Sequence, residues 1–356
     1  MAVALVTMTG LSVVAQSTPA FATPPIILVA PIDLGRAAPF AVLAGASVGN
    51  TATGPVTIVR GDLGVFVASG AVTGFPPGLV NGTQHASGAT AVVNAHTDLL
   101  AAYTAAAGRP SDFALAPDLL GLTLFPGVHT YAGAVANTGT VTLDGGGQAN
   151  AVFIFQIGAA FSAAASSHVV LTNGTQAKNV FWQVNGAGAI GATSDFAGTM
   201  MTAAAIGVGA NSLFNGRALA ETGAITTNSD QFYSGSPAIT ITGGATVNTA
   251  DNTPTISGTT TVDTPATVTV TIGAQTLPAT VQSDGTWTVT AASLANAAYT
   301  VNAVATDAVG NIGTATQSLT VDITPPVVTI TGGAVRVTND STPTVDGTTD
   351  VGTGSL

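Results

Sequence analysis

The chain repeats itself on two length scales, and a repeating chain must bury its apolar side chains between successive copies of one unit. Near the C-terminus Thr240-Ile-Thr-Gly-Gly-Ala245 returns as Thr329-Ile-Thr-Gly-Gly-Ala334, 89 residues later. At the same spacing Asp251 meets Asp340, Thr253-Pro-Thr255 meets Thr342-Pro-Thr344, and Gly258-Thr-Thr260 meets Gly347-Thr-Thr349. A period near 90 residues, with alternating Thr/Val runs such as Thr267 to Thr271, predicts a β-sandwich. Trp287 is its expected core aromatic, and 299–305 and 315–321 its closing strands. The second copy stops at Leu356 after about a third of a module. It reads as a truncated repeat or a piece of a longer array, with any cell-surface attachment expected beyond Leu356.

The shorter repeat lies upstream, in a domain expected over 30–235. Val141, Leu143, Gly146, Gln148, Ala149, Val152 and Phe153 line up with Val169, Leu171, Gly174, Gln176, Ala177, Val180 and Phe181, 28 residues on. Further along, Ala189-Ile-Gly191, Ala205-Ile-Gly207 and Ala224-Ile-Thr226 form a ladder with steps of 16 and 19, and Phe196-Ala-Gly198 and Phe214-Asn-Gly216 keep the register. Coils of this length, with inward Ile, Val and Phe and turns of Gly and Asn, predict a β-solenoid of unequal coils. One stretch, Ala86 to Gly108, instead places Val92, Val93, His96, Leu99, Leu100, Tyr103, Ala106 and Ala107 at helical spacing. It predicts a single six-turn helix lying along one solenoid face.

Composition excludes whole classes of function. Only 6% of the 356 residues are charged, with six Lys and Arg and a formal net charge of -11. So few cations cannot neutralise nucleic acid or an anionic membrane. The absence of cysteine removes disulfides, thiolate chemistry and Cys-type zinc sites. Residues 1–22 are apolar and end in Ala20-Phe21-Ala22, a small-x-small cleavage pattern that predicts an export signal. No later run is long and apolar enough to span a bilayer. The mature protein is expected to be secreted or held at the cell surface, without insertion into the membrane.

Catalytic and metal chemistry is not expected. His85 and His96 are three helical turns apart on the predicted helix, about 16 Å by its rise, too far for one metal. His129 and His168 have no carboxylate at ligand spacing, and the sole glutamate, Glu221, has no carboxylate neighbour for glycosidase work. Asp144-Gly-Gly-Gly147 reads as a coil turn, since one Asp does not supply a calcium shell. Phe181 and Trp182 are expected in the core rather than as a sugar platform, and Arg217 as a structural cation on a carboxylate or coil carbonyls. Neither a metal nor a cofactor is expected.

Eight segments carry a family resemblance in chain order: Phe40-Ala-Val-Leu-Ala-Gly45, Gly61-Asp-Leu-Gly64, Val72-Thr-Gly-Phe-Pro-Pro-Gly78, Leu124-Phe-Pro-Gly-Val128, Ala151-Val-Phe-Ile-Phe-Gln156, Asn179-Val-Phe-Trp-Gln-Val184, Gly198-Thr-Met-Met201 and Asn215-Gly-Arg-Ala-Leu-Ala220. Over 31–233 the chain resembles the DUF3494 ice-binding protein family. The resemblance implies a right-handed β-solenoid of three faces with one long helix on one of them, and binding to ice that restrains growth and recrystallisation. Segment 237–325 resembles the bacterial Ig-like repeats of secreted and surface proteins, which implies a spacer, with 326–356 a truncated second repeat. The family's short Thr-(Ala/Gly)-x-(Thr/Asn) motif occurs only at Thr249-Ala-Asp-Asn252, outside the expected solenoid.

The expected partner is therefore an ice crystal surface, and the protein a non-enzyme. A rigid row of β-branched, uncharged hydroxyl side chains can hold water in a lattice-like layer that ion shells would break. Candidate contacts are Thr138, Thr140 and Thr142, which alternate and so share a strand face. Thr193 and Ser194, Asn211 and Ser212, and Thr226 and Thr227 are expected at matching places in later coils. Thr51, Thr53 and Thr57 extend the face from the N-terminal side. The alternative is a surface adhesin whose solenoid recognises polysaccharide or another cell; a carbohydrate-degrading enzyme would need clustered carboxylates.

Overall fold

The computed structural model describes residues 26–51, 54–262 and 267–350, so the expected signal peptide and Thr53 lie outside them. The N-terminal part is a stack of parallel coils. One wall is a seven-stranded sheet in the order 135–137, 161–163, 188–190, 206–208, 225–227, 48–50 and 72–73. A fourteen-stranded sheet supplies the other walls. Its longest strands, Asp195–Thr202 and Leu213–Ala220, run through the corner between two walls. They turn there at Gly198 (φ +117°) and Gly216 (φ +156°). A side chain at Gly198 would strike Trp182 and Val180, and one at Gly216 the backbone of Gly198, so only glycine serves. Inside the stack Phe155 lies on Trp182 at 3.9 Å, and the aromatic column continues through Phe196, Phe214 and Phe232.

Coil order is not chain order. Strand 48–50 pairs with 225–227, and strand Phe40–Ala44 with 213–220. The N-terminal coils thus extend the stack beyond its last coil. Helix α1, Thr90–Ala107, carries the chain back along one wall, about 27 Å at 1.5 Å per residue. It buries Val92, Ala95, Leu99, Ala102 and Ala106 against Leu43, Ile154, Phe181, Met201 and Leu219. The ring of His96 stacks on Phe66 at 3.9 Å, and its Nε2 donates to Glu221 O at 2.7 Å.

The helix is shorter than the expected 86–108. Gly88 takes φ +69° and Ser87 donates to Gly70 O, so this segment is a turn. The buried stripe is also narrower: Val93 and Leu100 face solvent. His85 lies outside the helix on Asp62 at 2.9 Å, and shares no helical face with His96.

Two repeat registers differ from the sequence alignment. The 28-residue step holds where Val141 pairs with Val169 and Leu143 with Leu171. It drops to 27 at Phe153, which pairs with Val180, because the turn after Asp144 has one residue more than its successor. A one-residue slip reverses every side chain. Phe153 therefore points into the stack, whereas Phe181 pairs with Ile154 and meets the helix. In the flat wall Gly188 pairs with Ile206, a step of 18 rather than 16, while the step of 19 from Ile206 to Ile225 holds.

Residues 246–321 form a second seven-stranded sheet system in the order 246–249, 312–321, 297–306, 267–272, 275–281, 286–290 and 255–259. Its pairs are antiparallel except the first. Trp287 is buried there among Ile256, Val270 and Val301. Beyond it, Val328–Ile330 pairs with Gly347–Thr349.

Candidate functional site

The seven-stranded wall has an outer surface built almost wholly from methyls, hydroxyls and glycine. Reading across the sheet, the mid-strand outward positions are Ala136, Ser162, Ala189, Gly207, Thr226, Gly49 and Thr73, each in register with the next. A second rank precedes six of the seven strands: Ala160, Ala187, Ala205, Ala224, Ser47 and Ala71, whose carbonyls each accept the amide of the neighbouring strand. A third rank on the far side holds Thr138, Ala164, Gly191, Gly209, Asn228 and Thr51. None of these positions carries a charge, but the carboxylate of Asp118, which bridges Ala136, borders the wall at that end. The intervening residues point inward: Val135, Phe161, Ile190, Ile206, Ile225 and Val48 are at most 3% exposed. Alternation of this kind is what one buried and one solvated sheet face requires. Strands about 4.8 Å apart make the ranks regular.

The other walls are different. One is covered by α1. The third carries His168 on Asp195 at 2.8 Å and Asp144 on Asn173 at 2.9 Å, so ion shells interrupt it.

Against this map the expected contacts divide. Thr226 stands mid-face, and Thr51 and Thr138 at its border, all exposed. The hydroxyl of Thr138 donates to Asp118 at 2.6 Å and holds that carboxyl below its usual range. Thr140 and Thr142 do not share a face with Thr138. The chain turns at Gly139, and the strand Thr140–Asp144 lies on the third wall beside 168–172. Thr193 and Asn211 match each other but not Thr226. Both sit at a corner with φ near +60°, in a column with Ser166 and Ser229, and the hydroxyls of Ser166 and Thr193 lie 2.9 Å apart.

Four expected contacts are buried: Thr57, Ser194, Ser212 and Thr227. Ser194, Ser212 and Thr57 belong to an internal polar ladder behind that corner. Ser212 Oγ accepts from Ser194 N–H, Asp230 accepts from Ser212 N–H, and Thr57 Oγ1 accepts from Asp230 N–H. Thr227 Oγ1 donates to Asn50 at 3.4 Å. Thr51 does extend the flat wall, but next to Thr227, whose carbonyl accepts its amide. Ser162, Ala189 and Thr73 are not among the contacts expected from the sequence. The small–apolar–small triplets Ala160-Phe-Ser162 and Ala71-Val-Thr73, and Ala187-Gly-Ala189 with glycine at the inward place, are the signal that marks them.

Among the described residues no three His, Asp or Glu side chains gather as a metal site, and no helix is long and apolar enough to cross a membrane. Trp182 and Phe181 are buried, and Arg217 Nε donates to Ala38 O at 2.7 Å.

The model of the ice-binding-like family matches residues 42–232. The chain belongs to the ice-binding-like family. A bacterial Ig-like domain model matches 238–323 of this family member. An ice-binding protein of Nostoc sp. (strain HG1) is 40% identical over 201 residues, 56% of this chain and 72% of the relative. Ice-binding protein 1 of Shewanella frigidimarina is 36% identical over 224 residues, 54% of this chain but 25% of that protein. The crystal structure of an ice binding protein from an Antarctic biological consortium superposes with a TM-score of 0.56 at 35% identity, over 59% of this chain and 95% of that one.

Proposed function

We propose that this ice-binding-like protein adsorbs to ice through the outer surface of its seven-stranded wall and restrains growth and recrystallisation of the crystals. The observation that carries this reading is the charge-free, three-rank surface of Ala, Gly, Ser, Thr and Asn on a parallel sheet. Seven strands at the usual spacing extend roughly 29 Å, so water held between the ranks forms a broad ordered layer. Methyl groups keep that water from being drawn into tight hydration shells, while the hydroxyls of Ser162, Thr226 and Thr73 anchor it. Because the stack is already rigid, little conformational entropy is lost on adsorption. The family membership and the ice-binding relatives support the same reading. Binding needs no covalent step, so the protein acts as a non-enzyme, and ice outside the cell is consistent with the expected export signal.

The test is to grow ice slowly in a solution of the protein and measure its partition into the solid, alongside recrystallisation of fine-grained ice. Enrichment in the ice and arrest of grain coarsening are expected. Exclusion from the ice, with coarsening at the rate of buffer, would overturn the reading.

A further inference from the structure

The chain has six Lys and Arg residues, and two of them, Arg60 and Arg217, line one cavity of about 420 Å³ where the solenoid meets the Ig-like module. Arg60 is held in place: it lies over the Tyr233 ring at 4.2 Å and donates to Gln231 at 3.0 Å. Arg217 donates once, through Nε to Ala38 O, and no carboxylate pairs with it among the described residues. Burial alone pulls its pKa down to about 10. Arg217 is half-buried, and a guanidinium partly withdrawn from water without a counter-charge is unfavourable, a cost that an anion beside it relieves. The carboxylate on the cavity wall, Asp307, is already engaged. Its oxygens accept from Val309 and Asn311 N–H and from Asn311 Nδ2.

We infer that this cavity binds a carboxylate-bearing sugar of the uronate type, with the sugar's carboxylate on Arg217. The planar guanidinium fork matches a carboxylate at two points. The volume lies within the usual range for small-ligand sites and suits a ligand of one or two sugar rings. The remaining polar lining, including Ser236 and Thr261, is uncharged and suited to sugar hydroxyls. The site lies off the flat wall, so it stands or falls apart from ice adsorption.

Titration calorimetry on the whole chain with D-glucuronate, D-glucose and acetate tests the assignment. Saturable binding of glucuronate is expected, with no binding of glucose and only weak competition by acetate. Arg217→Gln is expected to abolish it. Ala308→Trp, which fills the mouth from an exposed turn without touching Arg217, should do the same. Absence of saturable glucuronate binding, or equal binding of glucose, overturns the site. Equal competition by acetate overturns the sugar assignment. Binding retained in Ala308→Trp overturns the location even where Arg217→Gln fails to fold.

Discussion

The side-chain amide of Gln156 donates to Ala106 O at 2.8 Å, from a strand inside the solenoid to the last turn of α1. The same Nε2 lies 3.2 Å from Ala107 O and 2.7 Å from Arg109 O, while Oε1 accepts from Thr130 at 2.7 Å. Helix C-terminal carbonyls need partners, and α1 has no basic residue in its last turn. Gln156→Leu keeps the volume but removes the side-chain donor from those carbonyls, of which Ala106 O keeps the Gly108 and Arg109 amides. It is expected to destabilise the protein by about 1–3 kcal/mol in urea unfolding, with faster amide exchange confined at first to the end of α1. Unchanged exchange there would mean that water substitutes for the amide.

The proposed ice surface can be separated from the other walls by bulk. Thr226→Tyr and Ser162→Tyr place a ring in the middle rank of the flat wall and are expected to lose most recrystallisation inhibition. Thr140→Tyr places the same ring on the charged third wall and should retain it. All three positions are exposed, so stability should change by no more than about 0.5 kcal/mol, and the circular dichroism spectra should coincide. Loss in Thr140→Tyr with full activity in the other two would transfer the surface to the third wall.

Much of the fold was readable in the sequence because apolar spacing reports burial directly. The helix, the aromatic core with Trp182, and the strands around Trp287 follow from it, whereas the family resemblance rests on the eight matching segments. What was not readable depends on pairing between distant segments. Nothing local tells Val48 to lie beside Ile225 rather than beside the next coil. Alanine and threonine also occur at both inward and outward positions. Thr226 and Thr227 look alike in sequence, yet one is exposed and the other 1% exposed, because strand neighbours point oppositely. In Ala187-Gly-Ala189-Ile-Gly191 small residues stand two apart in both registers, so the sequence does not choose between a step of 16 and the step of 18 that the pairing takes.

The register at Phe153 and Phe181 predicts two distinct failures. Phe155→Ala opens the interior against Trp182, whereas Phe181→Ala removes a contact between the wall and α1. Both should cost about 3–5 kcal/mol. Only Phe181→Ala should raise exchange of the α1 amides selectively; a uniform rise in both variants would show that helix and coils unfold as one unit.

Asp230 supplies a pH dependence. Its side chain is fully buried, accepting from Ser212 N–H at 2.9 Å and Asn228 N–H at 2.7 Å. Burial pushes its pKa up to about 6 despite those donors. The unfolded value is about 3.9, so the folded state binds the proton more tightly. The stability contributed by this group is therefore complete below about pH 4 and lost as pH rises through 6, about 2–3 kcal/mol in all. Burial lowers the pKa of His129, so that group acts in the opposite sense, losing stability as pH falls below its unfolded value near 6.5. The measurement is thus a difference: urea stability of the parent and of Asp230→Asn at pH 4 and pH 7. The parent should lose more on going from pH 4 to pH 7 than the variant does. Equal losses would place the carboxylate in contact with water and remove the corner ladder as a source of pH response.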